Sequence, residues 1–209
     1  MEISVVDLSK KIGKKTILNK VNMKLESGNI YGFCGVNGSG KTVFFKLLCG
    51  LMLPTEGKIM VDGNALSEKR RIIEDLGVMI ESPGFWDSYT GFENLKVLAS
   101  IKHTIKDDRI CEVLKLVGLY DAKDTKYRKY SLGMKQRLAF AQAIMEYPKV
   151  LILDEPSNAL DKNGIKMMHE VLRRLKEEGC LICIASHNES DIEELADEIY
   201  VVEEGKIHQ

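Results

Sequence analysis

Four stretches of the chain are apolar at nearly every position and too short to be helices: Ile30-Tyr-Gly-Phe-Cys34, Gly77-Val-Met-Ile80, Val150-Leu-Ile-Leu153 and Leu181-Ile-Cys-Ile184. A run without polar alternation offers no face to water, so these segments read as buried strands, in the manner of a parallel sheet covered on both sides. Residues 2–34 read as strands of a mixed sheet, with turns at Gly13 and Gly28 and a further turn at Asp62-Gly63. Val43-Phe-Phe-Lys-Leu-Leu48 reads as a helix, and residues 88–130 carry helical periodicity, as in Val113-Leu-Lys-Leu-Val117, without a strong strand signal. Beyond Asp161 the pattern runs helix, strand, helix, strand to Ile207, and no appended regulatory domain is expected. The expectation is one α/β domain over residues 1–209, with a core of 1–87 and 148–209 and a helical lobe inserted over about 88–147.

Chemistry enters at the ends of these strands. Directly after Cys34, the segment Gly35-Val-Asn-Gly-Ser-Gly-Lys-Thr42 completes the Gly-x-x-x-x-Gly-Lys-Ser/Thr phosphate loop. Its glycines let backbone N–H groups point inward, and the helix start that follows favours an anion. Asn37, Gly38, Ser39 and Gly40 would cradle phosphates, Lys41 would reach the terminal ones, and the Thr42 hydroxyl would ligand the bridging Mg²⁺. The apolar run at 150–153 ends abruptly in Asp154-Glu155-Pro156, which puts two carboxylates where ligands of open α/β sheets sit. Asp154 would hold Mg²⁺ through a water, and Glu155 would be the general base for an attacking water.

A third segment, Tyr130-Ser-Leu-Gly-Met-Lys-Gln-Arg137, lies shortly before the acidic strand. Ser131 and the N–H groups of Leu132 and Gly133 open a helix running through Leu138, Ala141 and Met145, which makes a second anion site. With these three motifs the chain resembles an ATP-binding cassette nucleotide-binding domain. Its signature there is Leu-Ser-Gly-Gly-Gln; here Ser131 and Gly133 keep their places, while Leu132 stands for the first Gly and Met134 for Gln. The resemblance implies a P-loop NTPase core of the RecA-like kind with an N-terminal antiparallel β subdomain and an inserted helical subdomain. It also gives Asp161, in Ser157-Asn-Ala-Leu-Asp161, a part in the subunit contact around nucleotide. His187, following the strand at 181–184, is implied to contact the γ-phosphate. His103, His169 and His208 have no such context. Two departures stand out. Glu81 occupies the place of a Gln that touches Mg²⁺, and together with the altered signature it resembles the bacitracin and lantibiotic branch. Ile12 aligns with the aromatic that stacks on adenine, and no aromatic precedes Tyr31, so poor base discrimination is expected.

Composition narrows the partners. A net charge of −1 in 209 residues gives no basic footprint for nucleic acid, and the lysines at 10, 11, 14 and 15 read as a solvated face. No apolar run approaches a membrane span. Five cysteines, including the Cys180/Cys183 pair, read as reduced core thiols. The resemblance implies ATP and Mg²⁺ as ligands and a head-to-tail dimer with an identical or related cassette. It further implies an integral membrane permease as partner and a cytoplasmic place on the inner face of the membrane. The aromatic segment Ser82-Pro-Gly-Phe-Trp-Asp-Ser-Tyr89 is the expected docking surface. The alternatives are a soluble cassette ATPase uncoupled from transport, or an ATP-binding module with little hydrolysis.

Overall fold

A computed structural model describes residues 1–66, 73–81 and 84–209. The buried runs become β3 (Ile30–Cys34), β6 (Leu76–Met79), β7 (Val150–Asp154) and β8 (Leu181–Ser186). With β9 (Glu198–Glu203) they form a parallel array, edged by β10 (Lys206–His208) antiparallel to β9, in the order β10-β9-β3-β8-β7-β6. Each central strand is buried on both faces because it feeds two cores. Ile30, Leu151, Leu153, Ile182 and Ile184 face one hydrophobic cluster, and Tyr31, Phe33, Val150, Ile152 and Cys183 face the other. That division explains why the runs lack polar alternation.

Residues 2–34 do not lie in one mixed sheet. β1 (Glu2–Ile12) and β2 (Lys15–Glu26) join β4 (Glu56–Val61) and β5 (Asn64–Ala65) in a separate antiparallel sheet, ordered β2-β1-β4-β5, while β3 crosses to the parallel one. The burial patterns give the reason: β2 has exposed positions along its length, whereas every residue of β3 is buried. The expected turns at Gly13, Gly28 and Asp62-Gly63 are present, and Asp62 and Gly63 both have positive φ, the geometry of a two-residue hairpin.

The cover on one face is α1 (Lys41–Leu48) with the antiparallel sheet, where Phe33, Phe44 and Phe45 form an aromatic cluster with centroids 5.3–6.3 Å apart. The other face carries α5 (Lys162–Glu177) and the lobe of α2 (Gly91–Lys102), α3 (Asp107–Leu116) and α4 (Leu132–Ile144). α4 lies close over β6 at Gly77, where an added Cβ would sit 2.1 Å from the Ala143 carbonyl oxygen. A short α6 (Glu189–Glu193) follows β8. All five cysteines are unpaired; burial raises the thiol pKa of Cys183 and lifts that of Cys180 to about 12, as befits core packing. Among the described residues no helix is long and apolar enough to cross a membrane.

Candidate active site

The loop between β3 and α1 is shaped by glycine. Gly35, Gly38 and Gly40 have φ of 155°, 80° and 117°, and a Cβ on Gly35 would approach the Val202 carbonyl oxygen to 2.4 Å. No side chain caps the start of α1. The buried Lys41 ammonium donates to its own loop, to the carbonyls of Gly35 at 2.5 Å and Val36 at 3.4 Å, and stands 4.0 Å from the Glu155 carboxylate. The Thr42 hydroxyl donates to Asp154 Oδ2 at 2.6 Å. Burial raises the pKa of Asp154, and the Thr42 hydrogen bond opposes that shift. Beyond Asp154, Glu155 adopts a left-handed φ of 51°, and its Oε2 lies 2.7 Å from His187 Nδ1.

These side chains converge on a cleft of about 210 Å³ walled by Asn37, Gly38, Ser39, Gly40, Lys41, Thr42, Asp154 and Glu155, with Ile17 at its margin. Ser39 Oγ and Glu155 Oε1 are buried within it and lack a hydrogen-bond partner. The orphaned Ser39 hydroxyl, an uncapped helix start and a buried ammonium fit a polyphosphate, while the orphaned Glu155 oxygen is an acceptor free for a water. The donor set of Thr42 hydroxyl and Asp154 carboxylate fits Mg²⁺, which is held by one or two carboxylates together with substrate phosphates. Among the described residues no group of three or more His, Cys, Asp or Glu side chains forms an all-protein metal cage.

Other expected residues stand outside the cleft. Ile12 is 49% exposed at the end of β1 and lines neither the cleft nor the adjoining groove of Lys15, Ile17, Val36 and the Glu203–Gly205 turn; Ile17 lines both. Strand alternation in β2 was the available signal for Ile17. The Glu81 carboxylate pairs with Lys46 of α1 at 2.6 Å. Ser131 caps α4, accepting from Met134 N–H at 3.2 Å, and Gly133 lies against the Ala159 carbonyl, where a Cβ would be at 2.9 Å. Asp161 caps α5 through Gly164 N–H and pairs with Arg137 at 2.9 Å; the Gly164 bond and Arg137 lower its pKa. These three form a second cluster beside the start of α4. In the aromatic segment Ser82 and Pro83 lie outside the described residues, while Trp86 and Tyr89 are 47% and 41% exposed and stack on each other at 5.9 Å.

Residues 18–158 match the family described as ABC transporter. The chain belongs to that family. The ABC relatives in sequence include the ABC transporter ATP-binding protein YybJ of Bacillus subtilis (strain 168), 42% identical over 98% of this chain and 94% of the relative. The bacitracin transport ATP-binding protein BcrA of Bacillus licheniformis is also 42% identical, over 98% of this chain and 68% of the relative. The lantibiotic transport ATP-binding protein SrtF of Streptococcus pyogenes is 40% identical over 98% and 88%. Among solved structures, an ATP-binding subunit of an ABC transporter superposes with a TM-score of 0.89 at 25% identity, covering 100% of this chain and 89% of that one. A dimeric cassette in a post-hydrolysis state bound to ADP and Pi gives 0.87 at 22% identity over 99% and 97%, a likeness of fold. This ABC chain is an ATP-binding, ATP-hydrolysing subunit of the transporter class.

Proposed function

We propose that this chain powers an integral membrane permease that moves peptide antibiotics or similar amphipathic peptides, by closing head to tail on a second cassette around two ATP molecules. The convergence of Lys41, Thr42, Asp154 and Glu155 on one cleft, with His187 bonded to the Glu155 carboxylate, carries the reading. The peptide cargo is supported by the relatives named for bacitracin and lantibiotic transport, and by Glu81 in the place of the family's Gln.

On binding, the ATP phosphates replace the Gly35 and Val36 carbonyls as partners of the Lys41 ammonium, and Ser39 Oγ gains a partner. Thr42, Asp154 and Glu81 would hold Mg²⁺, which would neutralise developing charge on the phosphate oxygens. Glu155 accepts the proton of the attacking water as its oxygen bonds to the γ-phosphorus and the bond to the bridging oxygen breaks, leaving ADP and phosphate. His187 shares Glu155 Oε2 and meets the γ-phosphate. Ile17 offers the base an aliphatic wall. Ser131, Gly133 and Asp161 belong to the other half of the composite site: the start of α4 in one subunit covers the triphosphate on Lys41 of its partner. Two triphosphates hold the pair closed, and loss of the γ-phosphates opens it. The exposure of the Trp86 and Tyr89 rings supports docking on the permease, with the chain peripheral on the inner face of the membrane.

Glu155→Gln tests the reading. Turnover falls by about 10² to 10⁴, while ATP with Mg²⁺ converts the variant to a stable dimer on sizing with light scattering. Unchanged turnover removes Glu155 from its role, and a variant that stays monomeric with ATP ends the composite-site account.

A further inference from the structure

Gln136, on the second turn of α4, does not line the phosphate cleft, yet its side-chain amide makes two hydrogen bonds to backbone at the cleft's edge. Its Nε2 donates to the carbonyl of Glu155 at 3.0 Å and to that of Pro156 at 3.1 Å. Two carbonyl acceptors at these distances fix the amide orientation, since only the NH₂ end can face them both.

Glu155 needs such a clamp. It is a non-glycine residue at a φ of 51°, in a region that L side chains seldom occupy. The residue after it is Pro156, which disfavours compact conformations of the residue before it and has no N–H with which to anchor the turn. Conformations of this kind persist only where the surroundings over-determine them. Here the Glu155 N–H is tied to the Ala185 carbonyl of β8 at 2.8 Å, and the other side of the residue is tied by Gln136. Between those ties the direction of the side chain is set, with Oε2 at 2.7 Å from His187 and the carboxylate 4.0 Å from Lys41.

We infer that Gln136 is a positioning residue for the general base: its amide holds the Glu155-Pro156 carbonyls so that the carboxylate meets the attacking water. The inference rests on the assignment of Glu155 as base. It deepens the dimer reading, because Gln136 shares its helix with Ser131, five residues earlier, or about 7.5 Å along the axis. The start of α4 is bound to the same segment at two further levels, by Gly133 against the Ala159 carbonyl and by Arg137 with Asp161. Gln136 thus joins the base of its own subunit to the helix whose start is proposed to cover the partner's nucleotide.

The test combines Gln136→Leu, which keeps bulk without donation, and Gln136→Glu, which keeps shape but turns an acceptor toward two carbonyl oxygens. Both lower kcat by on the order of 10- to 100-fold while leaving ATP affinity unchanged, as a misaimed base requires. If Gln136→Leu does not fold, Gln136→Glu carries the test. A group acting only through Glu155 costs nothing more once that residue is Gln, so adding either substitution to Glu155→Gln leaves the residual turnover where it was. Full kcat in both Gln136 variants, with Glu155→Gln impaired, overturns the inference and leaves the base standing. It is likewise overturned if ATP affinity falls in parallel with kcat, or if the same factor is lost again in the Glu155→Gln background. Unchanged kcat in Glu155→Gln itself overturns the base assignment, a distinguishable failure.

Discussion

At the scale of single residues, the cleft works through groups that are incomplete alone. Lys41 is folded onto its own loop, Ser39 Oγ and Glu155 Oε1 are buried without hydrogen-bond partners, and Thr42 is bonded to Asp154. On the proposed reading a Mg²⁺-bound triphosphate would take up Lys41, Ser39, Thr42 and Asp154, and the attacking water would take up Glu155. The proposed base contact is different, because Ile17 in the cleft wall would offer aliphatic packing where an aromatic would stack. A base-aromatic stack is worth about 1–3 kcal/mol, and without it the phosphates carry the affinity. Turnover measured with ATP and GTP in parallel should therefore differ by less than ~100-fold in kcat/KM. A larger preference for ATP points to a base contact beyond Ile17. The phosphate loop and the two carboxylates were legible because their atoms are neighbours in the chain. The Lys46–Glu81 pair and the Gln136 clamp were not, because 35 and 19 residues separate the partners and only packing joins them.

Among the elements, α2 shows how the exposed aromatic segment is held. Thr90 caps the helix by accepting from Glu93 N–H at 3.1 Å, and the Glu93 carboxylate accepts from Thr90 N–H at 2.8 Å, a reciprocal box. The fully buried Asn94 then accepts from Trp86 N–H and donates to the carbonyls of Trp86 and Thr90. The two exposed rings are thus displayed on a rigid loop, and a pre-organised patch loses less freedom on docking. Removing the cap hydroxyl with Thr90→Ala should lower the unfolding free energy by about 1 kcal/mol in urea titration, with ATP turnover unchanged. A loss of turnover would show that α2 reaches the cleft. The sequence pointed to helices over 88–130 by periodicity alone. It pointed to strands at the apolar runs with equal clarity, but not to the division of residues 2–34 between two sheets, since strand pattern reports burial and says nothing of which neighbour supplies it.

For the whole molecule, the α4 start and the phosphate cleft are separate clusters in one chain, so complementation between chains is a direct test of the head-to-tail pair. Lys41→Ala disables the cleft of its own copy, and Ser131→Arg disables the cover that copy lends to its partner. Each should be inactive alone, whereas an equimolar mixture should regain turnover, because half of the sites in a mixed dimer unite Lys41 with Ser131. A chain carrying both substitutions, mixed with itself, should regain none. No recovery in the first mixture argues that both motifs serve one site in one copy.

What the residue order by itself determined is the chemistry on offer and the elements that carry it: a glycine loop needing left-handed backbone, an apolar strand ending in two acids, a serine at a helix start. Those are local demands, satisfied within a few residues whatever the rest of the chain does. Only the tertiary structure decided which groups meet. It brought His187 onto Glu155, drew Glu81 to Lys46, set Ile17 in the wall of the cleft, and tied Gln136 to the backbone of Glu155. Such contacts depend on strand order and on how closely α4 settles over β6, and these follow from the joint packing of two cores against one sheet.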